Sequence, residues 1–216
     1  MQVEQRARST AAKVKRGESI IAAAEILLRQ SNYNAVTMQA VATEVGLAKG
    51  TLYLYFSSRE HLILKVYGRL FDQWIDRFAS CGSKVSEVEE FCRDFFQCYA
   101  GDRLFLTLTG SAISLIESQL DRETFVEAKR AMASRVKKLA GIAYQRLGLN
   151  PIQAQRLIWG LLTVASGAIQ MTIRPPVASN HLPGDVTAFL RSACAETVFL
   201  NSSVPLCLGM SKIVPD

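Results

Sequence analysis

Lys49, Thr51, Tyr53 and Tyr55 fall within seven residues of one another, interleaved with Gly46, Leu47, Leu52 and Phe56. The polar members bring one ammonium and three hydroxyls, groups suited to phosphates and base edges. The apolar members can anchor the same segment to a protein core. The pattern reads as a tight turn leading into a short helix. With the segment that starts at Thr37 it makes a helix-turn-helix: Ala42 is the small residue where two helices cross, and Gly46 makes the turn. Val41, Val45, Leu47, Leu52 and Phe56 lock both helices to a third. An ordinary helical hairpin would show the same apolar spacing, but packing alone does not demand the polar content. Lys49 and Thr51 sit at the N-terminal end of the second helix, where such motifs meet bases and phosphates. Tyr53 and Tyr55 can give hydroxyls to phosphates, or serve as plain core or surface aromatics. Arg59 opens the following helix, whose first N–H groups also favour a phosphate.

The elements that must position these residues are helical. Little of the chain alternates with period two, and several long windows follow the helical period. Ile20, Ile21, Ala24, Leu27 and Leu28 give a first helix one apolar face, ending near Gln30, with Asn32 suited to a left-handed stop. Thr37 is placed to cap a second helix, Met38 to Val45, and a third runs from about Lys49 to Phe56. Ser57 and Glu60 have the spacing of a capping box opening a long helix to about Ala79. Further helices are expected at 86–99, 103–117, 122–147, 152–173 and 184–200, with a partly disordered tail after Asn201. The expectation is an all-α chain of about nine helices: an N-terminal arm and three-helix domain over 1–60, and a larger helical domain over 61–216.

A chain of 216 residues with 49% hydrophobic and 20% charged residues can bury a sizeable core and stay in solution. The net charge of +6 is uneven: residues 1–60 hold eight Lys and Arg against five Asp and Glu. Arg6, Arg8, Lys13, Lys15 and Arg16 precede Gly17 with only Glu4 against them, which suits a polyanion or a solvated, mobile tail. Five cysteines without a CxxC, and two histidines, argue against a zinc site and for reduced thiols in a cytoplasmic protein. No cofactor or metal is implied. The longest uncharged run, Leu157 to Ile173, includes Thr163, Ser166, Gln170 and Thr172, and reads as a buried helix rather than a membrane span. The segment GLAKGT lacks the spacing and preceding strand of a phosphate-binding loop. No catalytic motif emerges, so an enzyme is not expected.

Thr37, Val41, Ala42 and the run Gly46-Leu47-Ala48-Lys49-Gly50-Thr51-Leu52-Tyr53, continued by Tyr55, Phe56, Ser58, Arg59, Glu60 and Leu62, resemble the N-terminal domain of TetR-family transcriptional regulators. The resemblance covers roughly Arg16 to Leu62. It implies phosphate contacts from Thr37, Tyr53, Tyr55 and Arg59, with Lys49, Gly50 and Thr51 at base edges or the adjacent backbone. Ala48 departs from the pattern where the family often has a capping hydroxyl, and Asn32 where a Gly is frequent. The resemblance further implies a homodimer on a palindromic double-stranded DNA operator, and a second domain that binds a small-molecule effector. A DNA-binding activator or a chromosome-organising factor that answers to a protein partner, or to no ligand, is the alternative.

The residues themselves support a buried, paired second domain. The helix 152–173 is apolar nearly all round and must be covered on several sides. Its stripe Gly160, Thr163, Gly167, and a second one at Ala193, Cys194 and Thr197, would let helices of two protomers approach. Trp74, Phe96, Tyr99, Phe105, Thr109, Ile113, Trp159 and Thr163 are candidates to line an effector pocket. The helix 103–117 carries no acid before Glu117 and the helix 152–173 none, which points to a neutral or anionic, largely apolar effector.

Overall fold

The computed structural model describes residues 2–31, 33–82, 85–109, 113–172, 182–192 and 194–210, so Asn32 and Ala193 lie outside the described residues. Eleven α-helical segments are described: α1 (Gln2–Gln30), α2 (Met38–Glu44), α3 (Lys49–Leu52), α4 (Arg59–Ser80), α5 (Val88–Ala100), α6 (Arg103–Thr107), α7 (Ile113–Glu117), α8 (Arg122–Leu147), α9 (Pro151–Thr172), α10 (Gly184–Ser192) and α11 (Ala195–Met210). A short 3-10 turn, Tyr33–Ala35, precedes α2. The all-α expectation holds. The described segments outnumber the nine expected helices: the expected 103–117 is described as α6 and α7, with 110–112 outside the described residues, and the expected 184–200 as α10 and α11.

The chain forms two compact units, one of Met1–Leu70 with Ser111–Arg130 and the other of Phe71–Gly110 with Ala131–Asp216. In the first unit, α1 begins at Gln2, so the basic stretch before Gly17 is helix rather than a loose tail. Gln, Arg, Ala and Lys are good helix formers, and no Gly or Pro interrupts them before residue 17. Ile20, Ala24, Val41, Ala42, Leu52, Leu62, Ile63 and Val66 are buried completely or nearly so. Lys65 reaches Glu127 at 2.5 Å and Lys129 reaches Glu117 at 2.8 Å, which ties together residues far apart in the chain.

The start of α4 corrects the expected capping box by one residue. Ser58, not Ser57, is the cap: its hydroxyl accepts from the His61 N–H at 3.0 Å. His61 Nδ1 in turn accepts from the Ser57 N–H at 3.3 Å and lies 3.2 Å from the Ser57 hydroxyl. Glu60 instead pairs with Arg59 at 3.5 Å. The edge of the His61 ring meets Phe56, with centroids 5.6 Å apart, and Nε2 is buried without a hydrogen-bond partner. Burial, and then Lys65, hold the His61 pKa below its ordinary 6.5, against the pull of Glu127 and Asp121. A proton added at Nδ1 would also face the Ser57 N–H.

The second unit is built on an aromatic cluster. Trp74 is fully buried and meets Phe71, Phe95, Tyr99 and Phe105 with ring centroids 4.9, 5.3, 5.2 and 5.8 Å away. Phe95 stacks on Phe199 of α11 at 5.9 Å. That contact explains why α11 continues to Met210, where a disordered tail is expected from Pro205 and Gly209. Phe199, Ser203 and Cys207 recur every four residues on its buried face, and Gln153 of α9 donates to the Met210 carbonyl at 3.0 Å. Pro205 costs one backbone bond, on a face where it and Asn201 are exposed. Between α8 and α9, Gly148 adopts φ 66°, and Asn150 and Gln153 cap one another at 2.9 and 3.0 Å ahead of Pro151.

Arg146 is the buried cation among the described residues of this unit, 5% exposed. It donates to Asp94 at 2.6 Å and to Ser86 at 2.9 Å, and lies over the rings of Phe78 and Phe91. Replacing Asp94 by Ala strands this charge. We expect a loss of about 3 kcal/mol in urea unfolding, and a loss within error of zero would show that the pair does not hold α5 to α8. For His61 the folded state favours the neutral ring. Its contribution is therefore present above pH 6.5 and is lost as the pH falls through the lowered folded value. Urea unfolding from pH 8 to pH 5 should show a steeper fall below pH 6.5 in the native chain than in His61→Gln; parallel curves would contradict the assignment.

Candidate nucleic-acid interface

Thr37 caps α2, its hydroxyl accepting from the Ala40 N–H at 3.1 Å. The turn then closes through Gly46 at φ 64°, with the Leu47 N–H donating to the Ala42 carbonyl at 2.9 Å. The positive φ is the reason for a glycine here. Ala48 stands at the N-cap of α3 without a side-chain cap bond, as its methyl dictates. The helix is one turn long, Lys49–Leu52, shorter than the expected run to Phe56. Residues 53–55 form a turn, stitched by the Phe56 and Tyr55 N–H groups onto the Leu52 carbonyl at 2.9 Å each.

Anchoring and presentation divide by residue. Leu52 is wholly buried and Phe56 is 4% exposed, whereas Lys49, Gly50 and Thr37 are exposed, Thr51 and Tyr55 half-buried, and Tyr53 is 48% exposed. Lys13 of α1 stands 5.9 Å over the Tyr55 ring, and Gly17 lies beneath the same ring, with room for a methyl at 3.8 Å. Lys15 and Arg16 line a cleft of about 390 Å³ together with Val45 and Leu47 of the turn. Lys13, Lys15 and Arg16 are thus carried to the same surface as the turn and α3. Their signal in the sequence was the charge run; its helical form was not anticipated.

Arg59 is placed differently from its neighbours. Its Nε donates to the Val36 carbonyl at 2.5 Å, a terminal nitrogen donates to the Tyr33 carbonyl, and the guanidinium stacks 4.3 Å from the Tyr33 ring. Those bonds brace the connection between α1 and α2 against α4. The side chain acts here on protein, which bears on its expected phosphate contact.

The eight candidate effector residues do not converge. Trp74, Phe96, Tyr99 and Phe105 are packed in the aromatic core, Thr109 and Ile113 are half-buried, and Trp159 and Thr163 lie on the outer face of α9. The Thr163 hydroxyl turns back onto the Trp159 carbonyl at 2.9 Å. The small stripe of α9 is divided as well. A side chain added at Gly160 would lie 2.7 Å from Leu206 of α11, while Gly167 is exposed with nothing near it. A cleft of about 750 Å³ in this unit is lined by other residues, among them Gln73, Asp76, Arg77 and Gln97. Among the described residues no helix is long and apolar enough to cross a membrane.

Residues 20–66 match the family model "Bacterial regulatory proteins, tetR family", and residues 65–186 match "Tetracyclin repressor-like, C-terminal domain". The HTH-type transcriptional repressor KstR of Mycobacterium tuberculosis is 39% identical over 75 residues, which are 33% of this chain and 34% of that repressor. The KstR of Mycolicibacterium smegmatis is similar over 74 residues at the same identity, 36% of its length. The match therefore spans about a third of the curated relatives. The fold is shared with the multidrug binding protein EbrR complexed with imidazole, at TM-score 0.59 and 16% identity over 93% of this chain and 97% of that one. A TetR transcriptional regulator from Rhodococcus sp. RHA1 gives TM-score 0.57 and 18% identity over 98% and 100%. With more than half of its length matched by the second family model, and the helix-turn-helix matched by the first, the chain belongs to the TetR family of bacterial regulatory proteins, a family of regulators and not of enzymes.

Proposed function

We propose that this chain is a cytoplasmic, sequence-specific DNA-binding repressor that works as a homodimer on a palindromic operator. The observation that carries the reading is the division of labour in α3 and the turn after it: Leu52 and Phe56 are sunk in the core, while Lys49, Gly50 and Tyr53 stand in solvent. In this reading Lys49, Gly50 and Thr51 meet base edges or the adjacent backbone, and Thr37, Tyr53 and Tyr55 hold phosphates. Lys13, Lys15 and Arg16 add phosphate contacts from α1. Arg59 positions the connection between α1 and α2 and reaches a phosphate only by exchanging its carbonyl partners. Residues 1–60 form the DNA-binding domain and 61–216 the domain for pairing and regulation. Pairing is supported by the outer face of α9, where Ile152, Trp159 and Met171 are 62, 49 and 84% exposed. A two-fold pair sets two recognition segments on successive half-sites, so one helical turn per protomer suffices.

Release by a small, largely apolar effector is supported by Trp74. Its indole Nε1 is buried without a hydrogen-bond partner among the rings of Phe71, Phe95, Tyr99 and Phe105. An effector that opened the cluster and offered one acceptor would satisfy that group and bear directly on α4. Operator and effector binding then oppose each other by the same factor in both directions. A second reading, a DNA-binding activator or chromosome-organising protein that answers to a protein partner or to no ligand, is favoured by the tight packing of that cluster, in which Trp74, Tyr99 and Phe105 are at most 2% exposed.

Selection of bound duplexes from a random pool tests the proposal: an enriched palindrome supports it, and salt-sensitive binding with no enriched sequence supports a chromosome-organising role instead. On the selected duplex, Lys49→Glu should weaken binding at least about tenfold. Tyr53→Phe with Tyr55→Phe should weaken it by about 1 kcal/mol per lost hydroxyl, equally for selected and unrelated duplexes, because phosphates carry no sequence. Unchanged affinity in the double variant would reject both contacts.

A further inference from the structure

Two pairs of cysteines meet inside the second unit, and they differ in access. Cys81, directly after α4, lies with its Sγ 3.3 Å from that of Cys98 on α5. Cys92 of α5 and Cys207 of α11 lie 3.4 Å apart. The second pair is sealed, at 0 and 1% exposure, whereas Cys81 is half-exposed and opens with Cys98 into the cleft that Gln73, Arg77 and Gln97 also line. We propose that Cys81 and Cys98 form a reversible dithiol–disulfide site, oxidised by hydroperoxides that enter this cleft, and that Cys92 and Cys207 stay reduced in the folded chain.

The geometry suits the step. A disulfide needs the sulfurs at about 2.05 Å, so they must close by little more than an ångström. Cys81 lies just past the last residue of α4, and Gly82 after it turns the chain at φ 68°. The Cys98 thiol is pushed up to about 12 by burial and by its hydrogen bond to Cys81, with Arg77 pulling the other way. Cys98 therefore stays protonated, and the accessible Cys81 is the attacking group. The Cys81 thiol gives up its proton and its sulfur takes the terminal oxygen of the hydroperoxide to become a sulfenic acid; the O–O bond breaks, and the leaving alkoxide takes that proton to depart as an alcohol. The Cys98 sulfur then attacks the Cys81 sulfur, the S–O bond breaks, and water leaves with the Cys98 proton. Two thiols thereby lose two electrons to one hydroperoxide. The product joins the end of α4 to α5. The consequence for DNA rests on the function proposed above: α4 also carries residues 59–70 of the first unit, so the crosslink restrains the helix proposed to transmit the effector signal.

Cys194 is the competing thiol. It is exposed at the start of α11, where the Thr197 N–H and hydroxyl and the Glu196 N–H hold it below its ordinary range. The test therefore uses the full chain carrying Cys194→Ser, whose hydroxyl can keep those bonds. After tert-butyl hydroperoxide, the protein is unfolded, alkylated and mapped by mass spectrometry without reduction. The expected result is a peptide pair joined through Cys81 and Cys98, lighter by two hydrogens, with Cys92 and Cys207 fully alkylated. Dithiothreitol should reverse the link and Cys81→Ser should abolish it. Alkylation of both Cys81 and Cys98 after oxidation, or a link through Cys92 and Cys207, would overturn the site. Mapping does not depend on DNA, so it stands or falls apart from the proposed function. With the link in place, affinity for the selected duplex should change at least about fivefold, and an unchanged affinity would overturn the regulatory role.

Discussion

The surface proposed to meet DNA depends on the burial of Leu52 and Phe56. One turn of helix has no stability of its own, since nucleation fixes several residues for the first hydrogen bond. Lys49–Leu52 is helical because Leu52 is wholly buried, and because the chain leaves the turn through Phe56, which is driven into the same core. Gly46 allows the reversal, and Ala42, with no exposed surface, allows α2 to approach closely. With those fixed, the exposed positions have no freedom to be elsewhere. Lys49 and Gly50 must face out, and Tyr53 must follow at the edge.

A second constraint lies at the other end of α4. Trp74, Phe78 and the rings around them fill the interior of the second unit, and Arg146 is held among them by Asp94 and Ser86. Gly82 belongs to this arrangement. A side chain there would collide with the Arg146 guanidinium and lie 2.7 Å from Asp94, on a backbone already at φ 68°. The segment after α4 is therefore specified as closely as the core. The same segment carries Cys81, so a chemical change at that sulfur acts on a part of the fold with little slack.

Much of this was legible in the sequence because local and tertiary signals agree. The expected bounds 122–147 are those of α8, which Asp121 caps at its start and Gly148 stops at φ 66°. The failures have equally specific causes. The expected helix 103–117 widens its turn at 108–109, a change of pitch that a pattern of apolar spacing does not register. Pro205 and Gly209 predict a broken tail, yet Phe199, Ser203 and Cys207 bury one face of α11 against α5 and α9, and that burial outweighs poor helix propensity. Composition could say that Trp74, Tyr99 and Phe105 are interior, but not that they touch each other rather than a cavity. Contact between Cys81 and Cys98 has no sequence signature at all. Nor could the motif show that Arg59 spends its donors on Tyr33 and Val36.

The most direct test of the central claim is amide hydrogen exchange of the full chain with and without its selected duplex. The account predicts slowed exchange concentrated in residues 37–56 and at 13–17, with the buried face of α2 unchanged because it is already protected. Protection confined to α9 and α11, with none in residues 37–56, would contradict it.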